Sequence, residues 1–453
     1  LGAGYNAPMA ARRLSTGRSL SETCLRLALW AVVVLPPLVV VPTAIDVFRL
    51  PKLLAAELLG LLSLVVLALR LRDVPRAPGR VWRSPALLAI LPLLLVASLG
   101  LVGSDHREHV WRALASFWIG AACLVGWSLG FACAELRRYL AGVVAPASLL
   151  AALGILQYHG GFQPFAFVGI RPGERLEVTS LAGNAGDLGA YLALAALLAQ
   201  ERAVVPGRRR WAWAAAALLC AYGVVVSQTL TAIVALLAGS ALLWLLLLPR
   251  RRAWAAVALA PVLAAAVLVA VPGLRQRAGM MGQALRTGDL GFILSHRLDG
   301  WRAALWMLRR HPWTGVGHGA YVTEYSPAKL ALLERGEVFS SYPGTATFEH
   351  SHSEYLQVAA ELGWPGVVAL IWGVGWLARG ARRRSAGGPR ALAWALLALL
   401  ALLAAAHFPF RLALTGYPAL LVLAWLLRDE EEAAGPPPVA PQVRPGKRAA
   451  RRR

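Results

Sequence analysis

Residues 208–252 read RRRWAWAAAALLCAYGVVVSQTLTAIVALLAGSALLWLLLLPRRR. Two apolar runs, 211–226 and 230–248, are separated only by Ser227-Gln228-Thr229 and bounded at their far ends by arginine triplets. A helix rises about 1.5 Å per residue, so a run of about 20 residues crosses a hydrocarbon layer about 30 Å thick. The stretch reads as two spanning helices joined by a very tight turn, with both basic ends on the side away from that turn.

Comparable runs lie near 25–45, 50–69, 85–103, 113–132, 139–158, 181–200, 253–272, 364–378, 391–407 and 412–427. Together they predict an all-α fold, a polytopic transmembrane helical bundle of about 12 spans. Composition agrees: of 453 residues, 58% are hydrophobic, and the mean hydropathy is positive. The organisation expected is a cytoplasmic N-terminal tail over 1–24, about nine spans over 25–272, a long loop over 273–363, about three spans over 364–428, and a disordered cytoplasmic tail over 429–453. Residues 1–8 read as unstructured, with Met9 a candidate start, and no small-residue cleavage site marks a removable signal peptide.

The net charge of +23 brings nucleic acid to mind, but the arginines cluster between spans. Alternating the loops puts Arg12/Arg13/Arg18, Arg70–Arg83, Arg137/Arg138, Arg208–Arg210, Arg250–Arg252, Arg382–Arg384 and the basic tail on one side. That is the positive-inside pattern, with both termini cytoplasmic and no nucleic-acid partner expected; membrane lipids are the expected surroundings. The other side receives the 103–112 loop, the 159–180 loop, the Ser227–Thr229 turn, the long 273–363 segment and His407–Arg411. Cys24, Cys123, Cys133 and Cys220 lie in or beside apolar runs without metal-ligand spacing, and read as small apolar fillers.

Five of the nine histidines, His296, His311, His318, His350 and His352, fall in the long loop. Leu294, Leu298, Trp301, Leu305 and Leu308 recur at helical spacing there, predicting an amphipathic helix ended by Pro312. Gly315-Val316-Gly317-His318-Gly319 reads as a turn, since no Walker-type Lys-Ser/Thr follows. A second helix is predicted over 347–362. On a helix, His350 and His352 diverge by about 200° and cannot share a metal, whereas His350 and Glu354 can. No HExxH motif or cysteine set accompanies them, so no metal is expected. A histidine suits proton abstraction from a hydroxyl near neutral pH, and an arginine fork suits phosphate oxygens. Arg297 and His352 equally suit a plainer pairing, a snorkelling interfacial arginine and a helix-capping histidine; chemistry alone does not separate the two.

The pattern Arg297-x-x-x-Trp301, His311-Pro312-x-x-Gly315-x-Gly317, His352-Ser353-x-Tyr355-Leu356-x(4)-Glu361-x-Gly363-x-Pro365-Gly366 resembles the O-antigen ligase/polymerase superfamily. Gly183-Asn184-Ala185-x(5)-Tyr191-Leu192 and His407-Phe408-Pro409-Phe410-Arg411 resemble further family segments, and His352-Ser353 stands where the family usually has His-Asn. The resemblance implies a bacterial inner-membrane glycosyltransferase whose active-site loop, containing the amphipathic helices, is periplasmic. Its donor would be an undecaprenyl-diphosphate-linked glycan. Its acceptor would be a hydroxyl of lipid A-core, of a growing glycan or of a protein. Neither metal nor cofactor is implied. His352 is then the candidate base and Arg297 the candidate diphosphate contact. Gln228, Arg171, Arg175, His350, Trp301 and His318 are the candidate substrate-binding residues. One departure stands out: the family usually has Ser-Arg in the tight turn, and this chain has Ser227-Gln228. Arg171 and Arg175 are the candidate replacements for the missing charge. Twelve spans would also fit a lipid-linked sugar transporter; the few charges in the spans and the lack of an evident internal repeat argue against it. A non-catalytic scaffold on the same fold is a third reading.

Overall fold

The computed structural model describes residues 7–72, 79–160, 162, 178–294, 297–337, 339 and 348–428. Arg171, Arg175, His296 and the tail over 429–453 lie outside the described residues. Among the described residues there are helices and no strands. In chain order they are α1 (Ala7–Leu38), α2 (Arg49–Arg72), α3 (Gly79–Trp82), α4 (Pro85–Gly103), α5 (Arg107–Gly130), α6 (Cys133–Gly142) and α7 (Val144–Gly160). Then come α8 (Ala185–Val204), α9 (Arg210–Val226), α10 (Leu230–Leu247), α11 (Arg250–Ala270), α12 (Pro272–Thr287) and α13 (Leu290–Ile293). The last five are α14 (Arg297–Arg310), α15 (Tyr321–Glu334), α16 (Glu354–Arg383), α17 (Gly388–Ala406) and α18 (Ala413–Leu427).

Every expected span falls on one of these helices, the 139–158 run on α7 with the end of α6. Among the described residues, seven helical stretches are long and apolar enough to cross a membrane by length and composition, and α9 and α18 are shorter apolar helices. The first helix stops at Leu38, not near residue 45, because Pro36 and Pro37 withdraw two amide donors at its end. The chain then turns, and Asp46 Oδ1 accepts from the amides of Phe48 and Arg49 to start α2.

The bundle is built around α8. From Ala185 to Ala199 every residue is buried, as a helix apolar on all faces requires. It packs against α7, α9, α10 and α17. The tight turn between α9 and α10 sits on the first turns of α8. Thr229 Oγ1 donates to Ala185 O at 3.0 Å, and Ser227 Oγ to Val224 O at 2.7 Å.

The segment after α11 is not one long loop. A second core joins Ala97, Val110 and Leu114 of α4 and α5 to Ala303, Ala304 and Met307 of α14, Tyr321 and Tyr325 of α15, and Val358 and Leu362 of α16. α14 and α15 thus form a cap seated on the ends of α4, α5 and α16. The face of α14 that packs overlaps the expected leucine stripe only in part. Asp299, Gly300, Ala303, Ala304, Met307 and Leu308 are buried, while Leu305 is 39% exposed. Small residues let backbones approach closely: a Cβ on Gly300 would lie 3.2 Å from Ser351 O. Of the expected stripe, Leu308 is buried, Leu294, Leu298 and Trp301 are half-buried, and Leu305 is the member left to lipid or interface. The helix expected over 347–362 begins only at Glu354, because Ser353 Oγ accepts from Leu356 N and caps it there.

Within α16, Gly363 adopts φ 63°, ψ −164° and divides the helix into two segments. Pro312 O accepts from Trp364 N at 2.8 Å, and the carbonyls of Ala360 and Glu361 accept from Val316 N and Gly317 N. The approach is so close that a Cβ on Gly315 would lie 2.2 Å from the Glu361 carbonyl, and one on Gly363 would lie 2.5 Å from Pro312 O. The glycines of the 311–317 and 361–366 motifs are therefore two halves of one backbone contact.

Candidate active site

Six connections or helix starts converge at one end of the bundle: the start of α2, the start of α8, the α9–α10 turn, α12, the start of α14 and the α17–α18 turn, with the loop before α16 laid among them. The α9–α10 turn, α12, the start of α14, the loop before α16 and the α17–α18 turn come from the set expected on the basic-poor side. Three of the described residues outside glycine adopt positive φ: Ser180 (48°), Gln228 (50°) and His352 (58°). Each such residue costs on the order of 1–3 kcal/mol and persists only where its surroundings hold it. Two of the three are sequence-derived site residues.

The turn carrying His352 is held from both sides. Gln357 Oε1 accepts from Ser351 N at 2.6 Å, and Ser351 Oγ donates to Ser353 O at 2.7 Å. Gln357 Nε2 donates to Glu361 Oε1 at 2.8 Å. Glu361 is fully buried and accepts from Arg411 Nη2, also at 2.8 Å. Arg411 Nε reaches Glu354 Oε2 at 3.3 Å, and Glu354 Oε1 accepts from Phe410 N at 3.1 Å. This buried ionic ladder pins the α17–α18 turn against the start of α16. The two carboxylates hold the Arg411 proton even more firmly than usual, despite burial.

Phe408 is the centre of the cluster. Its ring lies 4.5 Å from that of His350, 5.1 Å from His352 and 4.8 Å from His407, centroid to centroid. The Arg49 guanidinium lies over the same ring at 5.8 Å. Because His350 and His352 precede the helix and do not lie on it, the divergence expected from helical spacing does not apply, and both meet one ring. Arg49 Nε donates to Asp187 Oδ2 at 3.1 Å, and His407 Nε2 lies 3.7 Å from Asp187 Oδ1. Burial, together with the charges of His352, Arg297, Arg49 and His350, pushes the His407 pKa down to about 3. His350 is also lowered to about 3, by burial and then by Arg411. Both rings are neutral at ordinary pH.

Arg297 enters from the first turn of α14, with Nη1 donating to Thr231 Oγ1 at 3.2 Å. Its pKa is lowered by burial and by the neighbouring Arg277. Arg277, on α12, donates from Nη1 to the carbonyl of Gln228 at 3.0 Å. Trp301 lies one turn beyond Arg297, with a buried indole Nε1 that has no partner among the described residues. His318 is placed apart from this group: its Nδ1 lies 3.2 Å from Glu361 Oε2, and its ring packs on Phe117 at 5.1 Å. It supports the Arg411 ladder from behind.

The structure thus brings together His350, His352, Arg297 and Gln228. Arg49, Asp187, Phe408 and Arg277 join them without having been singled out in the sequence. The His407–Arg411 segment is a motif in the sequence, which by itself gives no member a role. No local spacing could have marked Arg49 or Arg277, since their partners Asp187 and Gln228 lie 138 and 49 positions away. Among the described residues, no group of three or more His, Cys, Asp or Glu side chains converges to hold a metal ion. The chemistry available is a histidine in a strained turn, a group of guanidiniums suited to an anion, and neutral imidazoles able to accept a hydroxyl hydrogen bond.

Residues 215–371 match the family model described as O-Antigen ligase. The match covers the α9–α10 turn, α12, α14, both loop histidines and the Gly363 kink. No curated protein matches the chain.

Proposed function

The chain belongs to the O-antigen ligase superfamily through residues 215–371, and from that premise we propose that it transfers glycan from an undecaprenyl-diphosphate carrier to a hydroxyl acceptor, with lipid A-core as the acceptor. The observation carrying the proposal is the left-handed turn that sets His352 against Phe408, 5.1 Å between ring centroids, within the same family-matched segment as Arg297. His352 takes the proton of the acceptor hydroxyl as its oxygen attacks the anomeric carbon. The bond between that carbon and the carrier phosphate oxygen breaks, and undecaprenyl diphosphate leaves. Arg297 offsets the negative charge gathering on the leaving diphosphate. The proton remains on the imidazole until solvent or the leaving diphosphate takes it.

In the orientation we propose, twelve helices span the inner membrane, both termini are cytoplasmic and the site is periplasmic. Two observations support it. The α9–α10 turn, the segment after α11 and the α17–α18 turn, expected on one side, meet at the site. At the opposite end, basic residues stitch helix ends together, with Arg137 Nη2 donating to Glu201 Oε1 at 2.6 Å and Arg428 Nη1 to Leu129 O at 2.9 Å.

The test is His352→Ala with surface glycan read on a gel. Loss of polymer from the acceptor, with the variant still present in the membrane, is the expected result; unchanged glycan would remove His352 from the chemistry. Deleting the chain separates two members of the superfamily. Ligase loss leaves unattached polymer on the carrier, and polymerase loss leaves single repeat units attached to the acceptor.

A further inference from the structure

The α9–α10 turn has a glutamine where the donor diphosphate calls for charge, and the structure shows what stands over that glutamine. Gln228 is buried, 4% exposed, and its left-handed backbone at φ 50° presents its carbonyl to the Arg277 guanidinium 3.0 Å away. Arg277 comes from α12, which follows α11 and packs on the bundle core through Leu274. Beside it, Arg297 is anchored on Thr231 in the first turn of α10. The two guanidiniums thus hold the same turn at positions three residues apart, Gln228 and Thr231, and an anion lying between two such donors is bound by charge-assisted hydrogen bonds from both. The first turn of α10 adds to the attraction. Thr229, its N-cap residue, makes no side-chain cap because its hydroxyl donates to Ala185 O. The unsatisfied amides and partial positive charge of the α10 N-terminus therefore face the same place.

We propose that Arg277 and Arg297 form a two-guanidinium clip for the diphosphate of the lipid carrier, with Arg277 supplying from α12 the positive charge that Gln228 does not carry. The assignment rests on the function proposed above and names a residue of that same site. Two phosphoryl groups and two forked donors match in number. A monophosphate would engage one guanidinium fully and leave the other under-used. The clip thus distinguishes diphosphate-linked donor from the monophosphate form of the same carrier. The same positive pair would also suit the phosphate of an anionic membrane lipid, and the experiment separates the two sources.

The full chain in detergent is titrated with undecaprenyl diphosphate, undecaprenyl monophosphate and phosphatidylglycerol. Arg277→Gln is expected to weaken diphosphate binding about 10- to 100-fold, the usual loss of a charge-assisted hydrogen bond. Monophosphate binding should fall by a smaller factor. The double substitution Arg277→Gln with Gln228→Arg returns the cation to the turn and is expected to restore diphosphate affinity to within about 3-fold, a rescue that a purely structural arginine would not show. Arg277→Lys, which keeps charge and loses the fork, should fall between the two and guards against a misfolded glutamine variant. Diphosphate binding unchanged in Arg277→Gln overturns the clip while leaving the transferase reading intact. So does a failure of the double substitution to recover affinity in a protein that melts like the parent. An equal loss for phosphatidylglycerol makes the pair a lipid headgroup contact and also overturns it. If the unsubstituted chain binds no diphosphate at all, the transferase reading falls first and the clip with it.

Discussion

Replacing Glu361 tests whether the His352 turn depends on the ionic ladder behind it. The Glu361 carboxylate is fully buried and accepts from Arg411 at 2.8 Å and from Gln357 at 2.8 Å, with His318 Nδ1 at 3.2 Å. Removing one partner of a buried pair costs about 3–5 kcal/mol, because the other charge is left uncompensated. Here Glu354 remains 3.3 Å from Arg411, so part of the compensation survives and the lower figure, about 3 kcal/mol, applies to Glu361→Gln. That is a large share of a typical total of about 5–15 kcal/mol. The functional consequence runs through Gln357, which bonds Glu361 with its amide nitrogen and the Ser351 amide with its oxygen. Released from Glu361, Gln357 no longer fixes Ser351, and the neighbouring His352 relaxes out of its left-handed conformation, recovering on the order of 1–3 kcal/mol of strain. Transfer should therefore fall about 10-fold or more at temperatures where the variant is still folded. Stability is measured by SDS-driven unfolding in mixed micelles, and transfer by glycan on gels. A coupling of about 1.5–3 kcal/mol between Glu361→Gln and Arg411→Gln is expected in a double-mutant cycle. Glu361→Gln unfolding within about 0.5 kcal/mol of the parent with normal transfer would refute the dependence.

Gly363→Ala should destabilise by about 3 kcal/mol or more in the same unfolding assay. Its φ 63°, ψ −164° backbone is essentially confined to glycine, and a Cβ there would lie 2.5 Å from Pro312 O. His352→Gly should unfold about 1 kcal/mol later than His352→Ala, because glycine removes the strain of φ 58°; both should be inactive, and equal unfolding of the two would show the turn to be unstrained. Acid should destabilise the protein through His350 and His407, each held near pKa 3 when folded against about 6.5 when unfolded. The unfolded chain binds the extra protons between those values, so this contribution is full above about pH 6.5 and declines as pH falls, by at most about 1.4 kcal/mol per pH unit per histidine. His407→Gln should flatten the decline in melting temperature between pH 7 and 5, and an unchanged decline would show that His407 does not drive it.

The helices of the bundle were legible because apolar length alone fixes them: no span needs a partner to be recognised, and even the three-residue break at Ser227–Thr229 reads directly. α12 and α15 were not legible. They carry mixed polarity, and they are held by packing on neighbouring elements, α12 on α11 and α13, α15 on α14 and α16. The packing face of α14 is only partly legible in its leucine stripe for a related reason. Hydrophobic periodicity marks the side that avoids water, and beside a membrane that side need not be the one that packs; the Gly300/Ala303/Ala304 face packs because it is small.

At the site, motif spacing located His352, Arg297 and the Gln228 departure but was silent on Arg49, Arg277 and the part played by Phe408. A phosphate-binding charge has no preferred sequence position. It needs only to arrive in space, and a guanidinium on any helix of sufficient reach satisfies the same anion. The glycine contacts behave in the opposite way, since a Cβ on Gly315 or Gly363 would meet backbone at 2.2 or 2.5 Å. The rigid part of the site is therefore written in the sequence as motif, while its charge is distributed. A departure such as Gln228 is evidence of a lost function only after every element that can reach the turn has been searched for a cation, and here α12 supplies one at 3.0 Å.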